Sequence, residues 1–208
     1  MWIIKFFELK LSAGKITQQI DLSYSTVLKA VALIRKAIVA NSADAGDLLS
    51  GEIELDEACF GGRPKANRGR GAFNKVPVFG ILERDGVAGV EAVKDVSART
   101  LIDSTIKTVK RGSIVYTDKF KSYEALMFCG YRHLKLDHKK RFSTGKVYIN
   151  GLEGFWSYDK ERLTKHHGVS KEKFPFYLKE MEFRYNNRNT TIFTQLAKYL
   201  VNLVPDLL

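Results

Sequence analysis

Residue 51 divides the sequence into two hydrophobic patterns that no single secondary-structure type satisfies. Before it, Ile16 and Ile20, then Val27, Val31, Ile34 and Ile38, recur at helical spacing. After it, "EIELDEACF" (52–60) alternates with the period of a strand. "VPVFGILERDG" (76–86) and "VAGVEAV" (87–93) read as two strands joined at Asp85-Gly86, a hairpin dipeptide. A helix, "ARTLIDSTIKTVKRG", is opened by Ser97 and ended by Gly112. "SIVYTD" (113–118) is a buried strand that stops at an acid. A helix around 121–129, a strand "YRHLKLD" and, after a basic loop, helices at 151–166 and 171–187 complete the chain.

The order is three strands, helix, strand, helix, strand, then helices. It predicts an α/β protein with a mixed sheet flanked by helices, the element order of the ribonuclease H-like fold. A small helical unit precedes it. There, a helix over 2–11 with Trp2, Phe6 and Leu9 on one stripe is broken by Gly14. A short helix, a turn at 21–23 and a longer helix capped by Ser23 follow. That layout is compatible with a helix-turn-helix, although Asp21 stands near the place where many such units have glycine. The alternative is an amphipathic hairpin packed on the main domain. Residues 1–40 thus read as a helix-turn-helix-like DNA-binding unit, 41–50 ("NSADAGDLLS") as a linker, and 51–208 as a catalytic domain.

Charge narrows the partners. The chain has 34 Lys and Arg against 23 Asp and Glu, a formal net charge of +11. Residues 1–50 hold six basic and four acidic residues; the remainder holds 34 − 6 = 28 and 23 − 4 = 19, net +9. Such an excess favours a polyanion, nucleic acid before an anionic membrane. Cys59 and Cys129 are far apart and form no CxxC, so neither zinc nor a disulfide framework is expected. "MWIIKFFELK" is short, carries Glu8 and lacks a small-residue cleavage site, which argues against a signal peptide. No apolar run approaches a membrane span. The expected setting is cytoplasmic and nucleoid-associated, with no membrane partner.

Against this basic background, "GEIELDEACFGG" gathers Glu52, Glu54, Asp56 and Glu57 on one strand. Asp56 ends the first strand and Asp118 the fourth, 118 − 56 = 62 positions later. In a ribonuclease H-like sheet these strands are neighbours, so the two carboxylates converge. Two-metal phosphoryl chemistry needs a third oxygen ligand, because two Mg²⁺ ions about 3.5–4 Å apart require bridging carboxylates. Glu153 lies 153 − 118 = 35 positions beyond Asp118, in "NGLEGFWSYDK". Glu52 and Glu54 share strand parity with Asp56, which also fits a solvated acidic face. Asn150 followed by Glu153 is in addition a variant capping box.

The stretches "EIELDEACFGG", "SIVYTDKFKSY", "YINGLEGFWSYDKERL" and "YLKEMEFRYNNR", in this order, resemble the DDE transposases of bacterial insertion sequences, in the small ISXO-like branch. The resemblance implies that Asp56, Asp118 and Glu153 are the catalytic, metal-binding triad. Some relatives use asparagine in the triad, which makes Asn150 the alternative ligand. It further implies Mg²⁺ as cofactor with Mn²⁺ as substitute, and contact of Lys160 with DNA near the cut end. Lys160 lies seven residues after Glu153, on nearly the same helix side, with Ser157 between them. The adjacent stripe is Leu152, Trp156 and Leu163, with Trp156 read as core.

Two glycine-bearing basic loops complete the expected DNA surface. Residues 61–75 carry Arg63, Lys65, Arg68 and Arg70; residues 138–146 carry Lys139, Lys140, Arg141 and Lys146. Neither contains an acid, which suits sequence-independent phosphate binding. Arg184 and Arg188 share a helix face and either bind DNA or pair with Glu180 and Glu182. The implied activity is cleavage of double-stranded DNA at the terminal inverted repeats of an insertion sequence, then strand transfer into target DNA by a homodimer or larger assembly. The alternatives are a ribonuclease H-like nuclease without strand transfer and an inactive DNA-binding remnant or repressor.

Overall fold

β1 (Glu52–Gly61) is the centre of a five-stranded sheet in the computed structural model, which describes residues 1–42, 48–61, 75–118, 121–136, 149–164 and 169–203. β2 (Lys75–Glu83) and β3 (Ala88–Ala92) extend it on one side as antiparallel neighbours. β4 (Ile114–Thr117) and β5 (Arg132–Lys135) extend it on the other, parallel to β1. The order β3-β2-β1-β4-β5 puts the first and fourth strands side by side, as a ribonuclease H-like sheet requires.

The sequence explains the turns. Asp85 takes φ 60 and Gly86 N–H bonds the Glu83 carbonyl at 3.0 Å, closing the expected hairpin between β2 and β3. Asp tolerates this left-handed backbone better than most side chains do. Ser97 caps α4 (Ala98–Thr108), its Oγ accepting from Thr100 N–H. α4 stops before Gly112. Val109 is already extended, and residues 48–50 pair with this segment through a parallel bridge from Leu49 to Val109. Lys121–Cys129 is a 3₁₀ helix rather than an α-helix. Tyr123 and Leu126 are buried while Met127 and Phe128 are exposed, and burial at a spacing of three is what that tighter helix serves.

Side-chain parity then splits the sheet into two faces. Ile53, Leu55, Phe79, Ile81 and Val115 point to one side, where Leu101 of α4 and Tyr123 and Leu126 of the 3₁₀ helix complete a core. The opposite face receives α5 (Asn150–Thr164), which buries Leu152, Phe155 and Trp156.

Asp47–Leu178 forms one compact unit, and Met1–Gly46 with Lys179–Leu208 forms a second. The second holds α1 (Trp2–Glu8), α2 (Ala13–Ile16), α3 (Tyr24–Ser42), most of α6 (Phe174–Asn186) and α7 (Phe193–Asn202). Residues 179–208, read from the sequence as part of one domain over 51–208, group instead with the N-terminal helices and share a core with them. Phe7, Ile16, Val27, Val31, Ile34 and Ile38 pack with Phe183, Ile192 and Leu196. Phe7, not Trp2 or Leu9, is the buried side chain of α1. α3 runs through residue 42, into the segment read as linker, and Ser23 caps it as expected.

Candidate active site

β1 presents its acids on both faces. Glu52, Glu54 and Asp56 share the α5 side, and Glu57 shares the side of Ile53 and Leu55. Glu54 is 1% exposed and accepts two hydrogen bonds: from Arg84 Nε at 3.2 Å and from the Leu152 backbone N–H at 3.0 Å. Arg84 Nη1 also donates to Glu52 at 2.6 Å, and its guanidinium lies 3.6 Å from the Tyr116 ring centroid.

The Leu152 N–H belongs to the first turn of α5, where a helix leaves its donors without internal acceptors. A carboxylate from the sheet therefore caps this helix, favoured also by the positive end of the helix dipole. The Glu153 N–H donates to the Ile149 carbonyl, so this donor of the first turn is already satisfied by the residue before Asn150. The cap expected from the Asn150–Glu153 pair is supplied instead by Glu54. Gly151 makes the approach possible: a Cβ there would stand 2.4 Å from Leu82 and 2.9 Å from Glu54 Oε2.

Two residues along the same face, Asp56 Oδ2 accepts from Trp156 Nε1 at 3.0 Å. β1 and β4 pair in register as far as Glu54 and Tyr116. Carried on by two residues, that register sets Asp56 beside Asp118. One carboxylate oxygen from each of Asp56, Glu57 and Asp118 lies within 4.8 Å of the others. Burial pushes the Asp56 carboxyl up to about 6, the charges of Asp118 and Glu153 add to the rise, and hydrogen bonds from the Glu57 backbone and Trp156 oppose it. Tyr123 is held well above its ordinary range, first by burial and then by the Glu57, Asp56 and Asp118 carboxylates, so it stays a neutral phenol beside them. At the end of β4, the Thr117 hydroxyl donates to the Asp118 carbonyl at 2.7 Å and lies 2.8 Å from His133 Nε2. Burial lowers the His133 pKa, so the imidazole there is neutral near pH 7.

The region that builds this geometry is also the region that matches known proteins. The family model described as the ISXO2-like transposase domain matches residues 48–186. The chain belongs to that family. An uncharacterized transposase-like protein of Haemophilus influenzae is 39% identical over 109 residues, covering 52% of this chain and 89% of the relative. An uncharacterized protein in the transposable element ISH50 of Halobacterium salinarum is 27% identical over 206 residues, covering 88% of this chain and 67% of the relative.

Within this transposase-family chain, the expected site residues separate by where the structure places them. Asp56 and Asp118 come together. Glu153 stands on the exposed side of α5, close enough for its charge to act on Asp56 but outside the group of three, in which Glu57 takes part. Asn150 is exposed at the start of that helix, and Lys160 is exposed on it together with Glu153 and Ser157. Arg63, Lys65, Arg68, Arg70, Lys139, Lys140, Arg141 and Lys146 lie outside the described residues.

Of the two readings of Arg184, the structure shows the pairing with Glu180. Arg184 is 6% exposed; Nε donates to Glu180 at 2.8 Å and Nη2 to the Phe7 carbonyl at 2.6 Å, while Arg35 bonds the same Glu180 at 2.7 Å. It is a core ion-pair residue of the helical unit. Arg188 is exposed, with its guanidinium 4.4 Å from the Tyr185 ring centroid. Sequence reasoning missed Glu54 as a helix cap and Trp156 as a donor to Asp56. Strand parity was the available signal, since it puts both acids on the face that α5 covers.

Among the described residues, no helix is long and apolar enough to cross a membrane.

Proposed function

We propose that this protein is an insertion-sequence transposase that cleaves DNA at element ends and joins the freed 3′ ends to target DNA in a divalent-metal-dependent reaction. The convergence of Asp56, midway along β1, with Asp118, directly after the end of β4, inside the family-matched region, carries the reading. The donor set fits the group. It consists of half-buried carboxylates, with Asp56 raised by burial and further by the charges beside it, and hard oxygen donors of that kind suit Mg²⁺ or Mn²⁺.

Asp56 and Asp118 would hold the cation, with Glu153 from α5 as the third carboxylate and Asn150 as its alternative. Bound there, a divalent cation supplies positive charge to the scissile phosphate and acidifies the attacking hydroxyl. Asp56 is fixed for this by the Trp156 indole, and Asp118 follows directly on a strand whose last residue is hydrogen-bonded. Lys160, two helical turns beyond Glu153 on the exposed side, meets a phosphate near the cut. The basic residues of 61–75 and 138–146 grip the backbone through sequence-independent contacts. Residues 1–40 contribute DNA contact from the helix-turn-helix-like unit. Because two element ends must be joined in concert, the working unit is a homodimer or larger assembly.

The test is incubation of the purified chain with Mg²⁺, DNA bearing the native element ends, and a target plasmid. End cleavage with joined products is the expected result. Nicking without joining would assign a nuclease, and DNA binding with no cleavage in Mg²⁺ or Mn²⁺ would assign a repressor-like remnant.

A further inference from the structure

We propose that Trp156 is a positioning residue for the metal-binding carboxylate of Asp56, held in place by the same strand it serves; this rests on the metal-site reading above. The indole N–H is a donor with no acceptor capacity, so it cannot itself ligate a cation. Trp156 is 4% exposed, and its Nε1 spends its single hydrogen bond on Asp56 Oδ2 at 3.0 Å. A buried donor needs such a partner, and a carboxylate so bonded is confined to one orientation.

The surroundings are built for this contact. Gly80 is the β2 residue paired with Asp56, and a Cβ at position 80 would stand 2.4 Å from Trp156 Cζ2 and 2.8 Å from Cη2. The missing side chain is the space the indole occupies. Phe60 and Phe155 meet the indole edge-on, with ring centroids at 5.8 and 5.1 Å.

The helix is also set in register with the strand. Leu152 and Trp156 are four helical residues apart, an advance of about 6 Å. Their partners, Glu54 and Asp56, are two strand residues apart, about 6.6 Å. Two bonds of matched spacing therefore clip α5 along β1: Glu54 to the Leu152 N–H and the Trp156 N–H to Asp56. Glu54, anchored by Arg84, takes the structural end of the clip. Asp56 takes the end that opens on Asp118.

The experiment deletes one hydrogen while keeping the shape. The chain has two tryptophans, so Trp2→Phe leaves Trp156 as the sole site for analogue incorporation. Three full-length proteins carry tryptophan, 7-azatryptophan (which keeps the N–H) or benzothienylalanine (sulfur in place of N–H) at position 156. Mn²⁺ affinity is read by calorimetry, and melting temperature is read in EDTA. The expected result is Mn²⁺ binding that is weakened about tenfold by benzothienylalanine only, with EDTA melting temperatures alike. In the tryptophan protein, Mn²⁺ should quench the Trp156 emission, and adding Asp56→Asn should abolish the quenching. Equal Mn²⁺ affinity in all three proteins, or equal weakening by both analogues, would leave Trp156 a packing residue and overturn the proposal while the metal site stands. A tryptophan protein that binds no Mn²⁺ through Asp56 would overturn the metal-site reading, and this proposal with it.

Discussion

Asp56→Asn should make the metal-free protein more stable, and only above the acidic range. Burial and the charges of Asp118 and Glu153 raise the Asp56 carboxyl from 3.8 to about 6 in the folded chain. The sign follows from proton counting. Between pH 3.8 and about 6 the unfolded chain has released a proton that the folded chain still holds, so stability falls as pH rises through this window. Below it the group costs nothing; above about 6 the full cost is present. At about 1.4 kcal/mol for each pH unit, that cost is about 3 kcal/mol. Asparagine cannot ionise, and its amide oxygen still accepts from Trp156 Nε1. The variant should therefore gain about 3 kcal/mol at pH 8 and nothing near pH 3.8. Urea unfolding in EDTA at pH 4, 6 and 8 measures the difference. Saturating Mn²⁺ should close the gap at pH 8, because only the wild type binds the ion and binding to the native state stabilises it. A variant less stable than wild type at pH 8, or a gain independent of pH, would refute the reasoning.

Three further outcomes follow from the site. Glu54→Ala should cost about 1–3 kcal/mol in chemical denaturation, because it leaves the Leu152 N–H without its acceptor and removes one of the partners of Arg84, which keeps Glu52; Glu54→Gln, which keeps an acceptor, should cost less. Glu153→Gln should keep the metal-free melting temperature, since Glu153 is exposed and Glu54 caps the helix, yet lose DNA cleavage; an active Glu153→Gln paired with an inactive Glu57→Gln would move the third ligand to β1. Neutralising Lys139, Lys140 and Arg141 together should weaken binding to all DNA sequences alike and flatten the log–log salt dependence by up to about three units, with an unchanged slope excluding phosphate contact by that loop.

Much of the sheet was legible because its signals are local. The alternation in 52–60, Asp85-Gly86 and Ser97 each specify a conformation through their own backbone or neighbours. The partner of an amphipathic helix is not local information. α6 and α7 bury their apolar faces against α1 and α3, and nothing in "FRYNNR" separates an arginine bonded to Glu180 from one facing DNA. The site divides likewise. Asp118 could be read from its strand end and both aspartates from strand order, although Asp56 lies midway along β1 and not at its end as expected. Glu57 could not, because parity assigns it to the opposite face; the described pairing with β4 stops at Glu54 and Tyr116, and past that point acids of both faces reach the strand end. Trp156 reads as core from its stripe, and it is core. Its second role depends on Gly80 lying opposite Asp56 across two strands, a register that spacing along the chain does not reveal.

The central claim is that a divalent cation is held between β1 and the end of β4. Fe²⁺ placed at a Mg²⁺ site generates oxygen radicals that cut the adjacent backbone, so mapping the cuts after addition of ascorbate and peroxide locates the ion. The predicted result is cleavage next to Asp56 and Asp118, suppressed by excess Mg²⁺ and absent in Asp118→Asn. Cuts elsewhere in the chain, or a pattern unchanged in Asp118→Asn, would contradict it.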